Sequence, residues 1–267
     1  VYVATQLCKW LWSRIQTRVL VMSATITTMS KPADLFGLFL QEVGLDQVPS
    51  AVTLRMEQQF DRTRVLLASP IMSIYPSWSR EGTVHDAFRK DQIARIMEAL
   101  ANVQNPAKSV LVLGPSCNKE VDEVFCRLSQ VVGTYKHLNA RCDKHGLRAF
   151  QDDPSAARCI LYGGKSLTTG LDLPGRLGMV VITRPPNERW RPMRYLYHQE
   201  QGHAVLYDEL FTFKRDQLAL QAAGRLQRNA NDFGVCLILG EGCTALRKKL
   251  SVSETIRRAW GSVSEVV

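Results

Sequence analysis

A chain of 267 residues that is 45% hydrophobic and 22% charged can bury one large core, or one domain with a flanking piece, which excludes disordered and fibrous classes. Lys and Arg number 34 against 25 acids, a formal charge of +9, which favours polyanionic partners and equally fits a solvated basic surface. The longest apolar runs (SVLVLG, GMVVIT, GVCLILG) have strand length, and VYVATQLCKWLW lacks a basic leader and cleavage site, so neither a membrane span nor a secretory signal is expected and the location reads as cytoplasmic.

In chain order, RVLVM (18–22) reads as a buried strand followed by Ser23-Ala24-Thr25, and Ser30-Lys31-Pro32 opens a helix. RVLLAS (64–69) is a further strand, after which residues 72–86 form a looser stretch rich in Ser, Pro and Trp. From Phe88 to Val103, Ile93, Ile96, Met97 and Leu100 recur at helical spacing and mark a core-facing stripe. Strand and helix then alternate: SVLVLG, KEVDEVFCRLSQVV, TYKHLN, GLRAFQDD, ARCILY, GMVVIT, DQLALQAAGRLQ and GVCLILG. Such alternation predicts an α/β fold with a parallel sheet and helices on both faces. The compact domain is expected over 85–267, with 1–84 as a junction segment carrying edge elements.

Seven cysteines are scattered without CxxC pairs, which favours reduced, buried thiols over a cluster drawn from Cys117, Cys126, Cys142 and Cys159. The histidines show no ligand spacing, and no metal site is expected. Gly163-Gly164-Lys165-Ser166 resembles the end of a phosphate-binding loop, yet the first glycine of that pattern falls on Cys159, inside the strand ARCILY, which rules the loop out.

Four short motifs carry the chemistry. Ser23-Ala24-Thr25 and Gly114-Pro115-Ser116 each follow a strand, where open α/β sheets bind ligands, and the second leads into a helix whose N–H groups suit an anion or simply make a turn. In KSLTTGLDLPG (165–175), Gly170 allows close backbone approach, Asp172 can orient a cation or brace a turn, and Ser166, Thr168 and Thr169 offer donors. In QAAGRLQRNA (221–230), Gln221, Arg225 and Arg228 lie four and three residues apart and share one helix face, with Leu226 inward. Two guanidiniums on one rim suit γ-phosphate charge, or a pair of salt bridges. The Arg- and aromatic-rich stretch 184–216, including Arg184 and Arg189, pairs charge for phosphate with rings for bases, or packs on the domain as an insertion.

Together these motifs resemble the C-terminal motor domain of superfamily 2 helicases, of the DinG branch of the XPD-like group. SAT resembles motif III, SVLVLGPS motif IV, KSLTTGLDLPG motif V and QAAGRLQRN motif VI. The resemblance implies a RecA-like (P-loop NTPase-type) second helicase domain that uses ATP and Mg²⁺ to move 5′ to 3′ on single-stranded DNA. Both cofactors would be held mainly by an N-terminal RecA-like domain preceding Val1. It assigns catalysis to Arg225 and Arg228, with Arg228 as arginine finger, nucleotide contacts to Gln221, Gly170 and Asp172, and DNA contacts to Ser116, Ser166, Thr168, Arg184 and Arg189. The acidic residue usual before the motif V glycine is Thr169 here, and the region bearing an iron–sulfur cluster in relatives would also precede Val1. This divergence suggests a homologue associated with type IV CRISPR systems and a CRISPR effector complex as partner. The alternative is a non-catalytic single-strand-binding module on a degenerate helicase fold; no acidic cluster supports a nuclease.

Overall fold

The computed structural model describes residues 10–14, 40, 45, 48, 63–68, 83–101, 108–114, 118–164, 167, 171, 173–183, 200, 221–222, 224–226, 232 and 234–239. Among these residues six strands carry the fold: β1 (Thr63–Ala68), β2 (Ser109–Leu113), β3 (Lys136–Asn139), β4 (Cys159–Gly163), β5 (Leu177–Ile182) and β6 (Gly234–Leu239). They form one sheet in the order β1-β6-β5-β2-β4-β3, with every pair parallel. The expected α/β parallel sheet is therefore present. Its edge strand β1 comes from the segment upstream of residue 85.

Among the described residues three helices cover it: α1 (Thr83–Ala101), α2 (Asn118–Val131) and α3 (Lys144–Asp152). Strands β2, β4 and β5 are buried along their whole length, as parallel strands covered on both faces must be. On one face Ile93 and Ile96 of α1 and Val121, Val124 and Leu128 of α2 pack on Val110, Val112, Ile160, Met179 and Val181. On the other, Phe150 of α3 joins Leu171, Leu173, Ala222 and Leu226 against Leu111, Leu161, Val180 and Ile238. The chain passes from β2 to β3 through α2 and returns to β4 through α3 on the opposite face, as right-handed crossovers require. Asp143 caps α3 by accepting from the Gly146 amide at 2.6 Å, which ends the turn after β3 and starts the helix.

The apolar stripe expected on α1 differs at one position. Ile93 and Ile96 are buried, but Met97 is 40% exposed. The inward face runs instead through Phe88, Arg89, Gln92, Ile93 and Ile96, and Met97 sits about 100° round the helix from Ile96. The cysteine expectation also divides. Cys159 and Cys236 are buried in β4 and β6, whereas Cys126 and Cys142, expected as buried thiols, are exposed, because α2 turns Cys126 away from its Val121–Leu128 face and Cys142 lies in the turn after β3. Cys159 heads a strand, so it cannot belong to a phosphate-binding loop.

Burial pushes the Cys159 thiol up to about 11 and the Cys236 thiol up to about 12. Both thiols stay protonated at neutral pH, and their contribution to stability, intact below the ordinary cysteine range, is lost as pH rises from that range through about 11 to about 12. A maleimide applied to the folded chain at pH 8 is expected to modify Cys126 and Cys142 within minutes and to spare Cys159 and Cys236 until denaturant is added. Peptide mass mapping reads the difference, and equal labelling of Cys159 and Cys142 would contradict the packing.

Candidate functional site

The strand order places a switch point between β5 and β2. From β2 the chain leaves toward β3, and from β5 it leaves toward β6, so the carboxyl ends of these two strands open a crevice of the kind that binds ligands in open α/β sheets. Backbone bonds hold the rim: the Thr183 amide donates to the Leu113 carbonyl at 2.9 Å, Gly114 to Gly163 at 3.0 Å and Ala140 to Tyr162 at 2.9 Å. Thr183 is buried, and its Oγ1 has no hydrogen-bond partner among the described residues. A Cβ at Gly163 would lie 2.2 Å from Leu167 Cδ1, so a larger residue there would have to displace the Leu167 side chain.

A second set of groups lies away from this rim, on the face that α3 covers. Arg225, half-buried in the 3₁₀ turn Gly224–Leu226, donates from Nη1 to the Leu171 carbonyl. The tie joins QAAGRLQRNA directly to KSLTTGLDLPG. Leu171, Leu173, Ala222 and Leu226 are buried around it in one apolar cluster. Leu226 also anchors the turn near the amino end of β6: its Cδ2 lies 2.7 Å from where a Cβ at Gly234 would stand, and the Gly178 carbonyl oxygen is equally near. Gln221 is half-buried one turn earlier.

The structure thus brings Arg225 to the backbone of Leu171, and places Leu226 inward as expected. Ser116, Ser166, Thr168, Thr169, Gly170, Asp172, Arg184, Arg189 and Arg228, together with Ser23-Ala24-Thr25, lie outside the described residues. The Arg225 guanidinium at this tie is a group suited to phosphate oxygens.

One buried polar cluster escaped the sequence reading. Arg89 of α1 is 1% exposed and donates from Nε to Glu123 at 2.8 Å, while its Nη1 pairs with Glu120 at 3.3 Å and donates to Gln92 Oε1. Gln92 in turn donates from Nε2 to Glu120 at 3.2 Å and to the Thr183 carbonyl at 2.7 Å. The network fastens α1 and α2 to the carboxyl end of β5, at the mouth of the crevice. Its sequence signal was slight: Arg89 and Gln92 sit at spacing three on the helix face that carries Ile93 and Ile96, where polar residues look like interruptions of an apolar stripe.

No protein-family model and no curated protein sequence matches the chain. Among solved structures it is similar to S. cerevisiae Dbp5 bound to RNA and ADP BeF3, with 12% identity and a TM-score of 0.47 over 85% of this chain and 48% of that one. It is also similar to an apo structure of XPD, with 13% identity and a TM-score of 0.49 over 76% of this chain and 39% of that one. For the Pyrococcus furiosus Hef helicase domain the values are 15% identity and a TM-score of 0.33, over 58% of this chain and 26% of that one. The chain therefore spans less than half the length of each.

Removing Arg89 alone leaves Glu120 buried without its counter-charge, a change that typically costs about 3–5 kcal/mol. Arg89→Met is expected to lower stability by that order in urea titrations, and Arg89→Met combined with Glu120→Gln to recover part of it. A double variant no better than the single one would show that the two groups do not act as a pair.

Proposed function

We propose that the chain is the second, RecA-like motor domain of an ATP-dependent superfamily 2 helicase of the DinG or XPD-like type, with residues 85–267 and the edge strand β1 as its body. The observation that carries this reading is the bond from Arg225 to the Leu171 carbonyl, which ties the two segments that must act on the same nucleotide. Support also comes from the separation of two ligand-capable regions, the crevice at the carboxyl ends of β2 and β5 and the Arg225–Leu171 region on the α3 face.

In this reading ATP, bound to a preceding RecA-like domain with Mg²⁺, supplies the free energy of translocation. Gln221 and Arg225 set the position of the motif V backbone, with Arg225 acting as a strut through Leu171. Arg228, three residues further on, reaches the γ-phosphate as the arginine finger and stabilises charge developing in the transition state. Gly170 and Asp172 complete the nucleotide side. Ser116, Ser166 and Thr168, which follow β2 and β4 in sequence, hold the backbone of single-stranded DNA, aided by Arg184 and Arg189. Movement runs 5′ to 3′. A non-catalytic binding module is the second reading, favoured by Thr169 where relatives carry an acid.

Two measurements test the proposal. The isolated chain is expected to show no DNA-stimulated ATP hydrolysis, and measurable turnover would overturn the division of the site between two domains. In the full protein, Arg228→Ala is expected to cut turnover by about 10³-fold while nucleotide affinity changes only a few-fold. Unchanged turnover would remove Arg228 from the chemistry, and a wild-type protein that binds single strands without hydrolysing ATP would favour the module.

A further inference from the structure

The opposite edge of the sheet carries a feature that the motor reading does not use. At the amino ends of four adjacent strands, in the order β5-β2-β4-β3, stand Arg176, Lys108, Arg158 and Lys136. Three hydrogen bonds hold their backbones in line: the Ser109 amide donates to the Arg176 carbonyl at 2.8 Å, the Cys159 amide to Ser109 Oγ at 3.1 Å, and the Lys136 amide to the Arg158 carbonyl at 3.3 Å. With strands about 4.8 Å apart, the row is about 14 Å long.

Both guanidiniums are braced from beneath. That of Arg158 lies 4.7 Å from the Tyr135 ring centre and donates from Nε to the Thr134 carbonyl at 3.2 Å. That of Arg176 lies 3.8 Å from the Phe150 ring centre and donates from Nη1 to the Phe150 carbonyl at 2.6 Å. Lys136 is exposed, and Lys108, Arg158 and Arg176 are half-buried. Asp153, engaged by the Ser155 hydroxyl at 2.7 Å and amide at 2.9 Å, and the buried Asp232, whose Oδ1 lies 3.6 Å from where a Cβ at Gly175 would stand, are acids beside this edge. The positive field reaches inward as well, because the charges of Arg176 and Lys136 partly oppose the burial that raises the Cys159 thiol.

We propose that this row is a contact for a nucleic-acid phosphate backbone, distinct from the strand path at the carboxyl edge. A polynucleotide fits because it repeats its charge at a short, regular interval, about 3.4 Å per strand along a duplex, so about four phosphates face a 14 Å row. Lys108, Arg158 and Lys136 supply the reach, and Arg176, whose Nη2 is buried, supplies charge. The inference stands whether or not the domain is a motor.

The test is fluorescence anisotropy of the full chain with a labelled oligothymidylate and with a duplex of equal length, over a series of salt concentrations. The double variant Lys108→Glu/Lys136→Glu is expected to weaken binding at least tenfold at low salt. It should also flatten the slope of log affinity against log salt by about 1.4 for the single strand, two contacts at about 0.7 each. A control of equal charge change on the exposed faces of α1 and α3, Lys90→Glu/Arg148→Glu, is expected to keep the wild-type slope. If the control lowers affinity and slope equally, net charge alone explains binding and the row is refuted. If the double variant binds as wild type while Ser166→Asp at the other edge weakens binding, the row is refuted and the carboxyl-edge reading stands. Absence of binding by the wild-type chain, or displacement of the oligonucleotide by polyglutamate as readily as by unlabelled DNA, also overturns the row. Circular dichroism and melting of each variant confirm that folded protein is compared.

Discussion

Burial of β2, β4 and β5 on both faces is the constraint from which the rest follows. A strand sealed between two helical layers has no room for polar side chains along its length, so polar groups collect at its two ends. The carboxyl ends gather backbone carbonyls and amides around Gly114, Gly163 and Thr183, and the amino ends gather Arg176, Lys108, Arg158 and Lys136. The sheet is an insulator with two polar edges. Any ligand chemistry this domain performs is confined to those edges, or to loops that fold back over a face, as the Arg225–Leu171 tie does.

The exception to apolar burial is instructive. Arg89, Gln92 and Glu120 are all nearly inaccessible, and removing charges from water costs several kcal/mol per ion unless geometry compensates. An apolar triple of equal volume would pack α1 on α2 at less expense. What an apolar triple could not do is donate to the Thr183 carbonyl, and Gln92 does that from the centre of the network. The ion pairs hold the amide, and the amide holds the end of β5 at the switch point. Orientation of the crevice rim, rather than net stability, is the physical gain from burying these charges.

Much of the fold was legible because parallel central strands advertise themselves as uninterrupted apolar runs of five or six residues: SVLVL, CILYG, LGMVVI and GVCLIL were each recognisable, and each is a strand. Residues on α1 were harder, since helical spacing identifies a face only within a residue or two. Met97 looked as apolar as Ile96 yet falls outside the buried arc, while Arg89 and Gln92 fall inside it. The site was legible as motifs but not as arrangement. Periodicity placed Gln221, Arg225 and Arg228 on one helix face, whereas the chain tightens to a 3₁₀ turn at Gly224–Leu226, a change of pitch that no spacing rule foresees. The basic row was invisible because its members are separated by tens of residues in sequence and meet only through strand order.

That same strand order explains why the two halves of the proposed nucleotide site arrive together. After β4 the chain must return to the amino end of β5, and Leu171 and Leu173 pack on the α3 face. The 3₁₀ turn Gly224–Leu226 precedes β6, so it too must finish near the amino end of its strand, beside β5. Two descending segments that feed neighbouring parallel strands are forced into contact, and the contact is sealed by Leu171, Leu173, Ala222 and Leu226. Within that apolar seal the Leu171 carbonyl needs a donor, and Arg225 provides one with a charged group that water competes for poorly. Contact between the two segments is therefore a consequence of parallel topology, with the guanidinium satisfying a buried carbonyl.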